Sequence, residues 1–283
     1  MDIAIVGAGT VGTAVGIAWK GAGHRLVAVT GRQETVSRAE TWLPGVPVLP
    51  IAAAVSDAEL VAIGVPDEAL PDVVSTVATS VADGVTVLHL SGASGLGVLD
   101  PVVEAGARPL AVHPLQTFAD VAGALEALPG CAVAVTAPDE GGYLLGEALG
   151  RDFGGAPFRL PDDQRSLYHA AAVFASNYLV AISGAADALF SRAGVPEALT
   201  AMRPLQEATL ANVHRLGPQT ALTGPAVRGD VGTIERNLAA IAAAAPDLVP
   251  AYVALCRLAM SVAADRVAEP GRRALDEVLT RWS

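Results

Sequence analysis

The chain has 283 residues, 52% of them hydrophobic, enough for one large or two ordinary domains with a sizeable core. A net charge of −11 with no basic run argues against nucleic acid as a partner. No run of about 18 uninterrupted strongly apolar residues occurs, so no membrane span is expected; the first strand starts almost at residue 1, so no signal peptide is expected and the cytoplasm is the expected compartment.

The apolar run Ile3 to Val6 leads into Gly7-Ala8-Gly9-Thr10-Val11-Gly12, then a helical stretch, then a second apolar run from Leu26 to Val29. This is strand, glycine-rich turn, helix and strand at the spacing a dinucleotide needs. Gly7 permits the tight turn, Gly9 lets backbone approach a pyrophosphate, and Gly12 lets helix and strand pack closely. The amides at the helix start, Thr10 and Val11 among them, face the phosphates. No acidic residue lies between Gly12 and Gln33, where an NAD-binding turn usually carries one. The second strand ends instead at Thr30-Gly31-Arg32, a hydroxyl and a guanidinium suited to a 2′-phosphate, so NADP is the expected cofactor.

Further apolar runs follow at Leu60–Val65, Val85–Leu90, Pro109–Val112 and Cys131–Val135, separated by helical stretches, and Phe158–Pro161 reads as a last short strand. The pattern predicts an α/β doubly wound, mainly parallel sheet covered on both faces. After Pro161 strand signals fade. One long helix is expected from Asp162 or Asp163 to about Arg192, then others through about 215, 231–244, 247–268 and 272–281. The predicted organisation is a Rossmann domain at 1–160 and an all-α domain at 161–283. Cys131 and Cys256 read as small buried hydrophobes, and no metal site is expected.

Ligands in open parallel sheets sit outside the carboxyl ends of the strands. There, Ser91 in the Leu90–Gly95 loop could line a cofactor face, and Asp67 could cap the helix after Gly64-Val65-Pro66. His113, stiffened by Pro114, could give a proton to a developing alkoxide or amine, with a pKa near 7; a backbone-bonded strand-end histidine is the alternative. His89, inside a strand, reads as a satisfied core residue, and His24 and His214 as surface residues. Along one continuous helix His169, Ser176 and Ser183 share a face, with Asn177 on a neighbouring line; they bond either to other helices or to a ligand. Arg228 could clamp a substrate carboxylate, and Asp230 could cap the next helix.

With this layout the chain resembles the 6-phosphogluconate dehydrogenase-like superfamily of two-domain reductases, which includes ketopantoate reductase, pyrroline-5-carboxylate reductase and the deazaflavin-dependent NADP oxidoreductases. More narrowly, AVHPLQTF (111–118), YHAAAVFASNYLVA (168–181) and LTGPAVRGDVGTIERNL (222–238) resemble a Rossmann-like family whose helical half is domain of unknown function 2520. The resemblance implies an NADP(H)-dependent oxidoreductase acting on a small C=O or C=N compound, with a 2-oxo acid of the ketopantoate type as one substrate. It implies that the Val65-Pro66 backbone runs beside the nicotinamide ribose, and that Asn177 and His169 hold a substrate oxygen, with Ser176 nearby. The sole lysine is Lys20, in the first helix, so the catalytic lysine of ketopantoate reductase has no counterpart; His113 or a water is left as acid. A homodimer through the helical domain is expected. A non-catalytic NADP sensor and a deazaflavin-dependent enzyme are the alternative readings.

Overall fold

The computed structural model describes every residue except 264, 265 and 268. It contains two compact units, Met1–Ser176 and Asn177–Ser283. The first is built on a seven-stranded sheet of β1 (Asp2–Val6), β2 (Arg25–Thr30), β3 (Leu60–Ile63), β4 (Thr86–His89), β5 (Arg108–Pro114), β6 (Ala132–Thr136) and β7 (Ala156–Arg159), in the order β2-β1-β3-β4-β5-β6-β7. Neighbours pair in parallel, except that β6 runs antiparallel to β5. The mainly parallel sheet expected from the sequence is therefore present, and β7 lies two residues earlier than expected.

Alternation along each strand buries both faces. Ile3, Ile5, Leu88 and Leu110 join one core with Trp19 and Leu149; Ala4, Val6, Val61 and Val87 join the other with Leu70 and Val74. Helices α1 (Thr10–Gly21), α2 (Glu34–Trp42), α3 (Ile51–Val55), α4 (Leu70–Ala78), α5 (Asp100–Glu104), α6 (Val121–Ala127) and α7 (Glu140–Asp152) connect the strands. The chain leaves β1 for β2 on one side and returns to β3 on the other, so β1 and β3 flank the switch point where a crevice opens.

The expected domain boundary near 160 falls where the sheet ends. The first compact unit runs on through α8 (Arg165–Ala175), because Arg165 and Tyr168 bond to the strand ends of that sheet. The long helix expected to Arg192 is two helices. At Ser176 the backbone leaves helical values (φ −123°, ψ −68°), and α9 (Asn177–Arg192) starts afresh. The second unit continues with α10 (Ala198–Leu216), α11 (Pro218–Ala221), α12 (Pro225–Arg228), α13 (Val231–Ala244), α14 (Val249–Val262) and α15 (Glu269–Arg281). The helix expected over 247–268 is seen over Val249–Val262, and residues 264, 265 and 268 of that expectation lie outside the described ones. Ile234, Leu238, Val253, Met260 and Leu279 form the core of this unit. By length and composition Asp162–Arg192 is apolar enough to cross a membrane, although no uninterrupted apolar run marked it in the sequence.

Candidate functional site

A cavity of about 530 Å³ opens at the β1/β3 switch point. Gly7, Gly9, Thr10, Val65 and Pro66 line one part of it, and Thr30, Arg32, Thr35 and Arg38 another. Three glycines interlock at its floor. Gly7 has φ +90°, and a Cβ there would stand 2.4 Å from Val65 Cγ1. A Cβ on Gly12 would stand 2.5 Å from the carbonyl oxygen of Gly7, and one on Gly64 3.1 Å from the same oxygen. Gly9 is different. Its φ is −73°, and a Cβ there would meet no atom of the described residues within 4 Å. Neither conformation nor internal packing asks for glycine at position 9, whereas an external group resting on this backbone would. The amides of Thr10, Val11 and Gly12 have no partner inside α1, as at any helix start, and present the positive end of its dipole.

The turn is held from behind. The amides of Gly7 and Ala8 both donate to the Thr30 carbonyl, at 3.1 and 2.8 Å. Arg38 Nη1 donates to the Ala8 carbonyl at 2.9 Å and places a second guanidinium on the cavity with Arg32. Sequence reasoning missed Arg38, whose signal is its i,i+6 spacing from Arg32 across the start of α2. Val11 and Gly12, expected there, are not among the residues that line the cavity. Ser91 is also outside it: its hydroxyl accepts from the amides of Ala93 and Ser94 and donates to Ser94 Oγ, so it is used within its own turn. Asp67 makes no capping bond; Pro66 stands at the cap position.

A second constellation lies at the carboxyl ends of β4 and β5, where α8 begins. Tyr168 Oη is 2.8 Å from His113 Nδ1, with the rings edge to face at 5.5 Å. A Cβ on Gly92 would stand 2.8 Å from His113 Nε2 and 3.0 Å from His169 Nδ1, so both imidazoles press on the same point of the Gly92 backbone. His169 Nδ1 is buried with no hydrogen-bond partner among the described residues. Arg165 is 1% exposed. It donates through Nη1 to Thr136 Oγ1 at 2.9 Å and through Nη2 to the Ser91 carbonyl, and its Nε has no partner. Asp162 Oδ1 accepts from the Leu96 amide at 2.7 Å. The Ser91–Leu96 loop is thereby tied at both ends to the start of α8.

The electrostatics alter the role expected of His113. Burial first, then the Arg165 charge, holds its pKa down at about 4, so it is a neutral imidazole at pH 7 and not the near-neutral acid read from the sequence. His89 is buried as expected but only half satisfied. Its Nε2 bonds the Gly95 carbonyl at 3.3 Å, Nδ1 has no partner, and burial and Arg165 push its pKa down to about 3. Burial pushes Tyr168 up to about 12, so the phenol keeps its proton. Arg165 and Tyr168 escaped sequence reasoning as site residues, although Tyr168 opens one of the resemblance segments.

The remaining expected residues divide between the units. Ser176 ends the first unit at the helix break, and that break interrupts the shared face proposed for His169, Ser176 and Ser183. Ser183 accepts from Gln206 Nε2 at 2.8 Å, an interhelical bond. Asn177, exposed, opens α9 in the second unit, and Arg228, exposed, ends α12 there. Asp230 caps α13 by accepting from the Thr233 amide at 3.1 Å, as expected. Among the described residues no group of three or more His, Cys, Asp or Glu is placed to hold a metal ion.

Residues 1–114 match the Rossmann-like domain family, and residues 131–259 match the family described as Domain of unknown function (DUF2520). No curated protein matches the chain. Among solved structures, a candidate NADP oxidoreductase from Bacteroides fragilis aligns with TM-score 0.79 and 23% identity over 93% of this chain and 97% of its own. An imine reductase from Myxococcus stipitatus, in complex with NADP+, aligns with TM-score 0.70 and 18% identity over 100% and 99%. A reductive aminase from Aspergillus terreus, in complex with NADPH and ethyl levulinate, aligns with TM-score 0.68 and 19% identity over 98% of each chain. These likenesses establish a common fold. The two matches follow the order that the sequence resemblance implies, a Rossmann-like domain and then a DUF2520 domain.

Proposed function

We propose that the chain is a cytoplasmic NADP(H)-dependent oxidoreductase of a small C=O or C=N compound, acting in either direction. The observation that carries the reading is Gly9, a glycine required by nothing among the described residues and set on the cavity at the start of α1. Gly7, Gly9 and the α1 amides would hold the pyrophosphate, and Thr30, Arg32 and Arg38 the 2′-phosphate. When bound, the cofactor supplies hydride chemistry. The chain's own part is to orient the substrate and move a proton, and the His113–Tyr168 pair beside His169 is equipped for both. A non-catalytic NADP sensor would need no such pair. On the family resemblance, Ser176, Asn177 and Arg228 are proposed substrate contacts. Two unpaired, buried cysteines, Cys131 and Cys256, fit a reducing compartment.

Titration of the purified protein with NADPH and NADH tests the reading. NADPH should bind at least about tenfold tighter than NADH, and Arg32→Ala should remove most of that preference, since one charge-assisted phosphate contact is worth about 1.5–3 kcal/mol. Equal, weak binding of both nucleotides would overturn it.

We also propose a homodimer through the helical unit. Val180 (70% exposed) and Ile182 on α9, with Leu205 on α10, present large apolar side chains that the chain leaves uncovered. Sedimentation should give twice the chain mass, and a monomer at micromolar concentration would count against it.

A further inference from the structure

Resting on that reading, we propose that Arg38 is a positioning residue that joins the two phosphate-binding parts of the cavity. One arm of its guanidinium fixes the Ala8–Gly9 peptide on which the pyrophosphate rests, and the rest of the fork meets the 2′-phosphate. Arg32 serves the 2′-phosphate alone. The two arginines therefore divide the work: Arg32 sets the preference for NADP over NAD, and Arg38 also supports the diphosphate that both nucleotides share.

The glycine turn supplies the reason. Gly9 has an ordinary negative φ, and a Cβ there would meet no atom of the described residues within 4 Å, so packing at Gly9 does not fix the peptide before it. A peptide beside a glycine turns easily about its flanking bonds. What holds this one is its carbonyl. The Ala8 oxygen accepts from Arg38 Nη1 at 2.9 Å and from Thr13 Oγ1 at 3.2 Å. The peptide unit is planar and trans, so fixing that oxygen also fixes the Gly9 amide, which points the opposite way. Thr13 is buried in α1, whereas Arg38 reaches in from α2 and is itself part of the cavity lining.

Arg38 has donors to spare. A guanidinium carries five N–H groups in a rigid fork. The Ala8 carbonyl takes one, and no other hydrogen bond or ion pair engages the Arg38 side chain among the described residues. Arg32, exposed on the same stretch of lining, makes no side-chain hydrogen bond or ion pair among them, so it gives the turn no support. Glu34 lines the same stretch and is bonded to neither guanidinium. An anion entering there gains charge-assisted bonds from both arginines, and the one made by Arg38 steadies the side chain that holds the turn.

The test titrates the full chain with two fragments of the cofactor: adenosine 2′-monophosphate, which lacks the diphosphate, and ADP, which lacks the 2′-phosphate. The variants are Arg32→Met and Arg38→Met, which keep an apolar stem for packing and remove the fork. Arg32→Met should weaken adenosine 2′-monophosphate by about tenfold and leave ADP within about twofold. Arg38→Met should weaken both by about fivefold or more. A second readout needs no nucleotide and separates loss of position from loss of charge. In the free protein the 15N-labelled Gly9 amide should broaden in Arg38→Met, as its peptide begins to turn, and stay sharp in Arg32→Met. Equal effects of the two variants on ADP would overturn the proposal, as would a Gly9 amide that stays sharp in both. If the unsubstituted protein binds neither fragment, the oxidoreductase reading falls and this proposal with it; if it binds both and the two variants behave alike, this proposal alone falls.

Discussion

Gly9→Ala should leave the protein as stable as before and abolish tight NADPH binding, whereas Gly12→Ala should unfold it more easily and affect binding only through that loss. The two glycines stand three residues apart in one motif, yet their surroundings are opposite. At Gly9 the backbone already lies where alanine is at ease, and an added methyl meets no atom of the described residues within 4 Å. The stability change should fall within about 0.5 kcal/mol, or favour the variant slightly through a less free unfolded chain. The methyl would occupy the approach to the α1 amides. A pyrophosphate held off by that distance loses its short charge-assisted bonds, so affinity should drop by about a hundredfold, two bonds at about 1.5 kcal/mol each. At Gly12 the added methyl would stand 2.5 Å from the Gly7 carbonyl oxygen and 3.1 Å from Ile5 Cγ2. That oxygen is backbone at the floor of the turn and cannot rotate away. The cost should be about 1–3 kcal/mol, as for overpacking in a core. Thermal unfolding and NADPH titration on the same two variants check both halves. If Gly9→Ala binds NADPH normally, the pyrophosphate does not rest on this turn.

Much of the first unit was legible because its signals are local. The runs at Ile3–Val6, Leu60–Val65 and Val85–Leu90 are short, β-branched and bounded by glycine or polar residues, and each became a strand within one or two residues. The glycine motif was legible because its spacing is itself the geometry. The reversal of β6 against β5 was not, since an apolar run reads the same in either direction. Nor was the break at Ser176: nothing in ASNYLV forbids a helix, and both flanking stretches are helical. Arg165 was the largest omission. A single arginine after Asp162-Asp163-Gln164 looks like a solvated residue at a helix start. Its burial exists only because α8 seats on the strand ends, where Thr136 and Ser91 receive it. With the burial of the strand end and Arg165 both unseen, His113 could be read only with its ordinary pKa. Position at a strand end located the residue; burial, and after it the neighbouring charge, decided its chemistry.

That charge state has a consequence for stability. Between pH 7 and pH 5 the protein should lose about 2 kcal/mol for each of His89 and His113, before any carboxylate contributes. Folded, the two titrate at about 3 and about 4, because burial and the Arg165 charge oppose the imidazolium. Unfolded, both return to about 6.5. Between those limits the unfolded chain binds more protons than the folded one, so stability falls as pH falls. The loss begins near pH 6.5 and levels off at about 4 for His113 and about 3 for His89, where the folded chain takes up the proton as well. Carboxylates held low by partners, Asp2 and Glu147 by Arg25 and Arg159, act in the same direction but in a lower window, because their unfolded values lie near 4. Urea denaturation at pH 7, 6 and 5 therefore isolates the histidines. The midpoint should fall steeply across the series, and His113→Asn and His89→Asn should each remove about half of the slope. Stability is a small difference between large terms, so a loss of this size would be a large share of the whole. A flat profile from pH 7 to 5 would mean that burial and the Arg165 charge do not hold these two rings neutral.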